Sequence, residues 1–389
     1  MDKNSLTGLL LMGLVIFGFM WLNRPSAEEL ERQRQEQARI EAEEARKAQE
    51  PGLITLDSIT ADEVASIVRT VRTLGATDTV TGVSTLKVDK INLTVNADGK
   101  VEGTVIADGQ QVAVAPLLAN NTGSMSRTLA AEAVTTLRKG LATAARYRGF
   151  ARHLSGDSTT VTLANKFVTL EIANKGGVIS RAALNDYRSY DSTQVTLLDP
   201  STDLYSFTLT TPNQRFETSE FYFEPVAVTD TTVTMMLDLG DGAKWGLRYT
   251  LLPESYLVNV DIVQQGMEAI LPSSTNTMDF TWRQKMRRLE AGRVFEERNS
   301  ALYYMFPNGD VDNLSENSDD DEEINERVKW VSCKNQFFSA VLMARENFTS
   351  ADLESTVLKD NPDYIKSMDM HLTLEYKVQM ANPASFVMQ

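Results

Sequence analysis

From Thr160 onward the chain alternates apolar and polar residues with a period of two. Val168, Leu170 and Ile172 alternate with Thr169 and Glu171, and Val233, Met235, Leu237 and Leu239 repeat the pattern. So do Leu247/Tyr249/Leu251, Val258/Val260/Ile262, Met278/Phe280/Trp282 and Leu372/Leu374/Tyr376/Val378. Successive side chains of a strand point to opposite faces, so this alternation sets one face against a core and the other in water. Many such strands between polar turns predict a mainly β fold, an antiparallel sandwich of two large sheets over residues 158–389. The acidic stretch Asp310–Glu323 breaks the pattern and reads as a solvated loop that no sheet absorbs.

Three other patterns precede the sandwich. Leu6–Leu22 carries no charge, and ~17 apolar residues are the lower limit for a membrane-spanning helix. Residues 1–24 therefore read as an anchor in the lipid bilayer, with Leu6, Leu10, Leu14, Phe17 and Trp21 along it. A cleaved signal fits less well, because the small residues Ser26-Ala27 lie beyond Pro25. The flanking charges Asp2, Lys3 and Arg24 leave the orientation open. Residues 25–52 are rich in helix formers with i,i+4 pairs such as Glu28–Arg32 and Glu43–Lys47, a charged helical spacer of ~35 Å. Leu30 and Ile40 are its only large apolar residues, so it has no coiled-coil seam. Residues 53–157 read as a small α+β module. A helix over Thr60–Leu74 has Thr60 as cap and Glu63 at the capping-box position. Strands follow at Leu86–Val95, Val101–Ile106 and Gln111–Ala115, then an alanine-rich helix from Ser124 to His153 capped by Ser124 or Ser126.

Charge narrows the partners. With 53 acidic and 38 basic side chains the net charge is −15, which disfavours nucleic acid and repels anionic headgroups from the molecule as a whole. The single cysteine, Cys333, excludes an internal disulfide and sits in the apolar run Val331–Leu342, where it reads as a buried small side chain. His153 and His371 have no partner at metal-ligand spacing. Lys175-Gly176-Gly177 lies between strands and reads as a tight turn rather than a phosphate cradle. Asp319–Glu323 lacks the spacing and glycine of a calcium loop. Lys285, Arg287, Arg288 and Arg293 form either a docking patch or an ordinary solvated face. No residue set supports catalysis, a cofactor or a metal, and the chain does not read as an enzyme.

The opening MDKNSLTGLLLMGLVIFGFMWLNRP, the segment NKFVTLEIANKGGVISRAALNDYRSYDSTQVTLLDP and the segment VKWVSCKNQFFSAVL resemble the bacterial YidC membrane protein insertase family. Asn174, Gly176 and Gly177 are placed like that family's glycine turn; Trp330, Gln336, Phe337 and Phe338 match its later Trp-plus-Gln-Phe-Phe stretch. The resemblance covers residues 1–50 and 160–389. It implies an inner-membrane anchor with a cytoplasmic amino terminus and a periplasmic β-supersandwich similar to galactose mutarotases. It also implies docking to Sec translocon components, nascent membrane proteins as clients, and no cofactor. The family inserts clients with a further membrane bundle and its groove arginine. No residue up to Gln389 takes that role, so the expectation is the N-terminal part of an insertase. The module at about 53–145 departs from the family's usual spacer. A free-standing anchored chaperone and a carbohydrate-binding protein are the alternatives.

Overall fold

The computed structural model describes residues 58–123 and 125–389; the Leu6–Leu22 anchor, the 25–52 spacer and Ser124 lie outside the described residues. Helix α1 (Ala61–Leu74) starts where the sequence predicts: the Thr60 side chain accepts from Glu63 N, and the Glu63 carboxylate accepts from Thr60 N. This capping box satisfies two otherwise orphaned amides. Strands β1 (Ala76–Thr77), β2 (Ser84–Val88), β3 (Ile91–Val95), β4 (Val101–Ala107) and β5 (Gln110–Ala113) form an antiparallel meander in chain order. Leu86–Val95, expected as one strand, is two. Asp89, at φ +50°, turns the chain into a hairpin, and the buried positions shift from Leu86 and Val88 to Ile91 and Leu93.

Helices α2 (Val114–Leu118) and α3 (Arg127–Tyr147) follow. Ser126 caps α3 by accepting from Leu129 N, and Gly140 lets it lie on Ile91, where an added Cβ would come within 2.8 Å of that side chain. The helix ends six residues short of the expected His153. Arg148 takes φ +51°, and Arg148–His153 form a 3-10 turn instead. His153 is buried there, its ring nitrogens 3.0 Å from the Tyr222 carbonyl oxygen and 2.8 Å from that of Asp238. Burial pushes its pKa down, and its role is structural.

Strands β6 (Thr160–Ala164), β7 (Val168–Ala173), β8 (Ile179–Arg188) and β9 (Gln194–Leu198) make a four-stranded sheet. A fourteen-stranded sheet follows, opening with β10 (Leu204–Thr210), β11 (Arg215–Glu217), β12 (Glu224–Val226), β13 (Thr232–Gly240), β14 (Ala243–Leu251), β15 (Val258–Gln265) and β16 (Thr277–Arg287). After the short helix α4 (Arg293–Arg298) come β17 (Ala301–Met305), β18 (Val311–Asn313), β19 (Asp320–Ile324), β20 (Val328–Lys334), β21 (Ser339–Val357), β22 (Tyr364–Glu375) and β23 (Ser385–Met388). Its main path runs β11-β10-β16-β22-β21-β23-β15-β14-β13-β12. The mainly β sandwich predicted by periodicity is present, but its two layers belong to one sheet curled onto itself. Phe207 of β10 meets Trp245 of β14 edge-on at 5.7 Å and packs on Phe280 at 4.6 Å.

The acidic stretch is not a free loop. Val311–Asn313 pairs with β17, and Asp320–Ile324 pairs with β21 from Asp320↔Ser355 to Ile324↔Ala351. A strand needs backbone partners, not apolar side chains, and at the sheet's edge Asp320–Glu323 keep their carboxylates in water. Asp319 accepts from Val357 N at 2.7 Å, and the buried Lys366 ammonium holds the carbonyls of Ser315 and Glu316. His371 lies inside β22.

Between β9 and β10, the Asp203 carboxylate accepts from Asp199 N, Lys285 N and the Thr202 hydroxyl. Burial, reinforced by the nearby Asp199 charge, pushes its pKa up to about 7. A carboxyl raised in this way is protonated more readily folded than unfolded. Its contribution is therefore fully present below the unfolded value and is lost as pH rises through about 7. Urea titrations from pH 4 to 7.5 will show wild-type stability declining relative to Asp203→Asn by on the order of 1–2 kcal/mol. The amide has one acceptor fewer and lowers stability throughout, but it removes this component of the slope.

Candidate functional site

An apolar cleft of about 730 Å³ opens between the four-stranded sheet and the strands β15, β21 and β23. Its walls are Val168, Leu170, Ile179 and Leu184 on one side and Val258, Val341 and Met388 on the other, with Trp282 beneath. Alternation along β7 delivers Val168 and Leu170 to one face, and a register shift at Glu171/Ile172 brings Ile179 and Leu184 of β8, which differ in parity, to the same side. Arg188 and Glu290 are the charged side chains that line it. Tyr187 meets Phe338 edge-on at 5.2 Å, and Phe337 beside them is 66% exposed. Size and lining suit an apolar chain, with few polar groups to fix orientation.

One buried carboxylate fixes the mouth. Glu296 on α4 is fully buried and accepts from Leu289 N at 2.8 Å, Glu290 N at 3.1 Å and the Asn335 side-chain amide at 2.7 Å. It thereby joins the end of β16, α4 and the Asn335–Phe338 turn; that turn closes with Asn335 N donating to Phe338 O. The expected basic cluster gathers beside it, with divided duties. Arg293 donates to the carbonyls of Leu358, Tyr364 and Asn361, and Arg287 pairs with Asp199 at 3.5 Å. Arg288 donates to Glu290 O and Ala291 O while its guanidinium lies 4.5 Å from the Tyr190 ring centre. Arg293 is thus structural, and Lys285 is exposed.

The motif residues fall in two places. Phe337 and Phe338 line the cleft, whereas Gln336 and the half-buried Trp330 on β20 do not. Asn174, Gly176 and Gly177 make the β7–β8 turn. The Asn174 side chain accepts from Thr159 N and donates to Asp157 O, pinning the segment that enters β6. Gly176 and Gly177 have φ +80° and +68°, and the Gly177 carbonyl accepts from the buried Tyr249 hydroxyl. Trp282 was marked from sequence only as an apolar position of an alternating strand, and Tyr187, Arg188 and Tyr256 were not singled out; their places at or next to strand ends were the available signal.

A second groove, about 400 Å³ and polar, crosses the outer face of the large sheet. Glu217, Thr208, Asp279, Thr373 and Ser350 are successive register partners across five strands, and Ser206, Thr281, His371, Asp352 and Glu323 form a parallel row. Arg215 pairs with Asp279 at 2.6 Å, and Thr281 Oγ1 lies 3.1 Å from His371 Nδ1. Its aromatic lining residue, Phe280, is buried and offers no stacking platform for a sugar ring. Among the described residues no group of three acidic, His or Cys side chains could hold a metal ion, and no helix is long and apolar enough to cross a membrane.

Residues 160–388 match the family model described as the YidC periplasmic domain. Two proteins named membrane protein insertase YidC are similar along nearly the whole chain. The one from Parabacteroides distasonis is 31% identical over 97% of this chain and 50% of its own length. That from Porphyromonas gingivalis is 29% identical over 99% of this chain and 50% of its own. The chain spans about half the length of the curated relatives it matches. Among solved structures, a galactose mutarotase related enzyme from Lactobacillus acidophilus covers 59% of this chain and 97% of its own, at 12% identity and TM-score 0.35. A putative aldose 1-epimerase from Escherichia coli K12 covers 60% and 99%, at 9% identity and TM-score 0.36. Scores this low carry no argument about this chain.

The two turn glycines predict different sensitivities. A Cβ on Gly177 would lie 2.8 Å from the Phe223 ring, whereas one on Gly176 meets nothing nearer than 3.5 Å. Both substitutions carry backbone strain at positive φ, roughly 1–3 kcal/mol. Gly177→Ala will lower the urea midpoint further than Gly176→Ala; equal shifts would show that the ring contact relaxes freely.

Proposed function

The chain belongs to the YidC periplasmic domain family, and on that premise we propose that it is the anchoring and docking part of a membrane protein insertase. Leu6–Leu22, through Leu6, Leu10, Leu14, Phe17 and Trp21, tethers it in the inner membrane. The amino terminus is then cytoplasmic, and residues 158–389 form the periplasmic domain beyond the spacer and the 53–157 module. Nascent membrane proteins are its clients and Sec translocon components its neighbours. The observation that carries this reading is the family match over residues 160–388, which contain every lining residue of the apolar cleft except Gln389.

The cleft's chemistry fits transient holding rather than reaction. An emerging apolar segment exposed to water gains about 1.5–3 kcal/mol for each large side chain it buries. Two or three such residues in the cleft give an association strong enough to delay misfolding and weak enough to release. Asn174, Gly176 and Gly177 position the β7–β8 wall, Phe337 and Phe338 the mouth, and Trp330 and Gln336 support the strand and turn behind it.

Photo-crosslinking in cells tests this. A benzophenone amino acid at Phe337 of the full chain will form adducts with newly made membrane proteins and translocon subunits. The same probe at the exposed Val311, off the cleft, will not. Equal adduct patterns at the two positions would sink the docking role of the cleft.

A further inference from the structure

Strand β16 carries a polar side chain where its alternation calls for an apolar one. Gln284 is buried in line with Trp282 and Met286, and only 4% of it is exposed. Asn335, on the turn between β20 and β21, is equally buried. The amide of each is oriented by an acceptor that its own oxygen could not meet. Gln284 Nε2 donates to Leu197 O at 2.5 Å, and Asn335 Nδ2 donates to the Glu296 carboxylate at 2.7 Å. Gln284 Oε1 and Asn335 Oδ1 are the atoms left over, and among the described residues neither has a hydrogen-bond partner. Buried acceptors left unpaired are uncommon and costly.

Both residues line one small cavity of about 20 Å³, which Leu197, Arg287, Cys333 and Phe338 also border. Roughly 10–15 Å³ is enough for one water. A water has two protons to give, one for each of the two acceptors. A monovalent cation fits less well, because two oxygens replace little of its hydration and Arg287 borders the same space. No donor of the protein serves instead. The Arg287 guanidinium pairs with Asp199 at 3.5 Å, and the Cys333 thiol, its pKa pushed up by burial, bonds neither oxygen.

We propose that a single internal water donates to Gln284 Oε1 and Asn335 Oδ1 and thereby ties the wall of the apolar cleft to its mouth. The bonds then run unbroken from Leu197 O on β9, through Gln284 on β16 and the water, to Asn335, Glu296 and the amides of Leu289 and Glu290. Leu197, Phe338 and Ala340 border both the cavity and the cleft, so the water lies directly behind the cleft lining. Asn335 N also closes its turn on Phe338 O at 2.7 Å, so holding Asn335 fixes where Phe337 and Phe338 stand. Direct contact between the two side chains cannot replace the water, because acceptor would meet acceptor. The joint is independent of what occupies the cleft.

Crystals of the full chain, grown in detergent and diffracting well enough to order internal waters, test the site without any substitution. One density peak about 2.7–3.2 Å from each of the two oxygens is expected, with no anomalous signal there after a thallium(I) soak. An anomalous peak would make the ligand a monovalent cation and overturn the assignment of water. So would a site without density, or either amide turned with its NH2 into the cavity. Amide hydrogen exchange on the full chain tests the joint. Gln284→Met keeps the side chain's length without the acceptor and will speed exchange at Asn335 N about fivefold. Thr281→Val, on the outer face of the same strand, will leave that exchange unchanged. No change in Gln284→Met, or equal acceleration in both variants, overturns the tie between wall and mouth even where the water is present.

Discussion

The chain requires its large sheet to close on itself. The two ends of the main strand path, β11 and β12, are separated in sequence only by residues 218–223. Hydrogen bonding leads away from β11 through eight other strands and returns to β12, so the path must double back within a few residues' reach. The apolar rows of the two layers then have only each other to cover. Phe207, Trp245, Phe280 and Phe386 fill the space between them, with ring centres 4.6–6.1 Å apart. The four-stranded sheet packs over one side of this closed body, and Tyr249 reaches across to the Gly177 carbonyl to hold it. The cleft lies where that smaller sheet meets the seam between the layers.

Much of this was legible. Period-two alternation located the strands of the sandwich, and Thr60 with Glu63 announced the first described helix. The failures have specific causes. Strand β2 buries even-numbered positions and β3 odd-numbered ones, a parity change at Asp89-Lys90 that an eye following apolar density passes over. The acidic edge strand was missed because composition speaks for side chains, whereas pairing is a property of the backbone. The Arg148 break is easily passed over in an alanine-rich run; Gly149 is its one signal in the sequence, and its close approach to the Leu239 carbonyl, where a Cβ would come within 2.1 Å, is a tertiary contact that the sequence does not show.

The cleft was legible only in part. Phe337 and Phe338 were marked by family resemblance, yet what makes them a mouth is Glu296, a residue that in sequence is one glutamate among many. Its burial arises from three donors on two other segments, and no local pattern encodes that. The basic cluster shows the converse. Four cations near in sequence suggested one surface, but Arg293 turned inward to three carbonyls and Arg287 paired with Asp199, while Lys285 stayed exposed.

The acidic edge strand β19 has a consequence for how many copies can share a surface. Tethered proteins confined to a plane meet at effective concentrations far above those in solution, and an open strand edge invites a neighbour to extend the sheet. Here such an encounter would bring Asp320, Asp321, Glu322 and Glu323 of one copy against the same four of another. Like charges set directly opposite oppose pairing. Crowding would then leave each copy separate, with its cleft free.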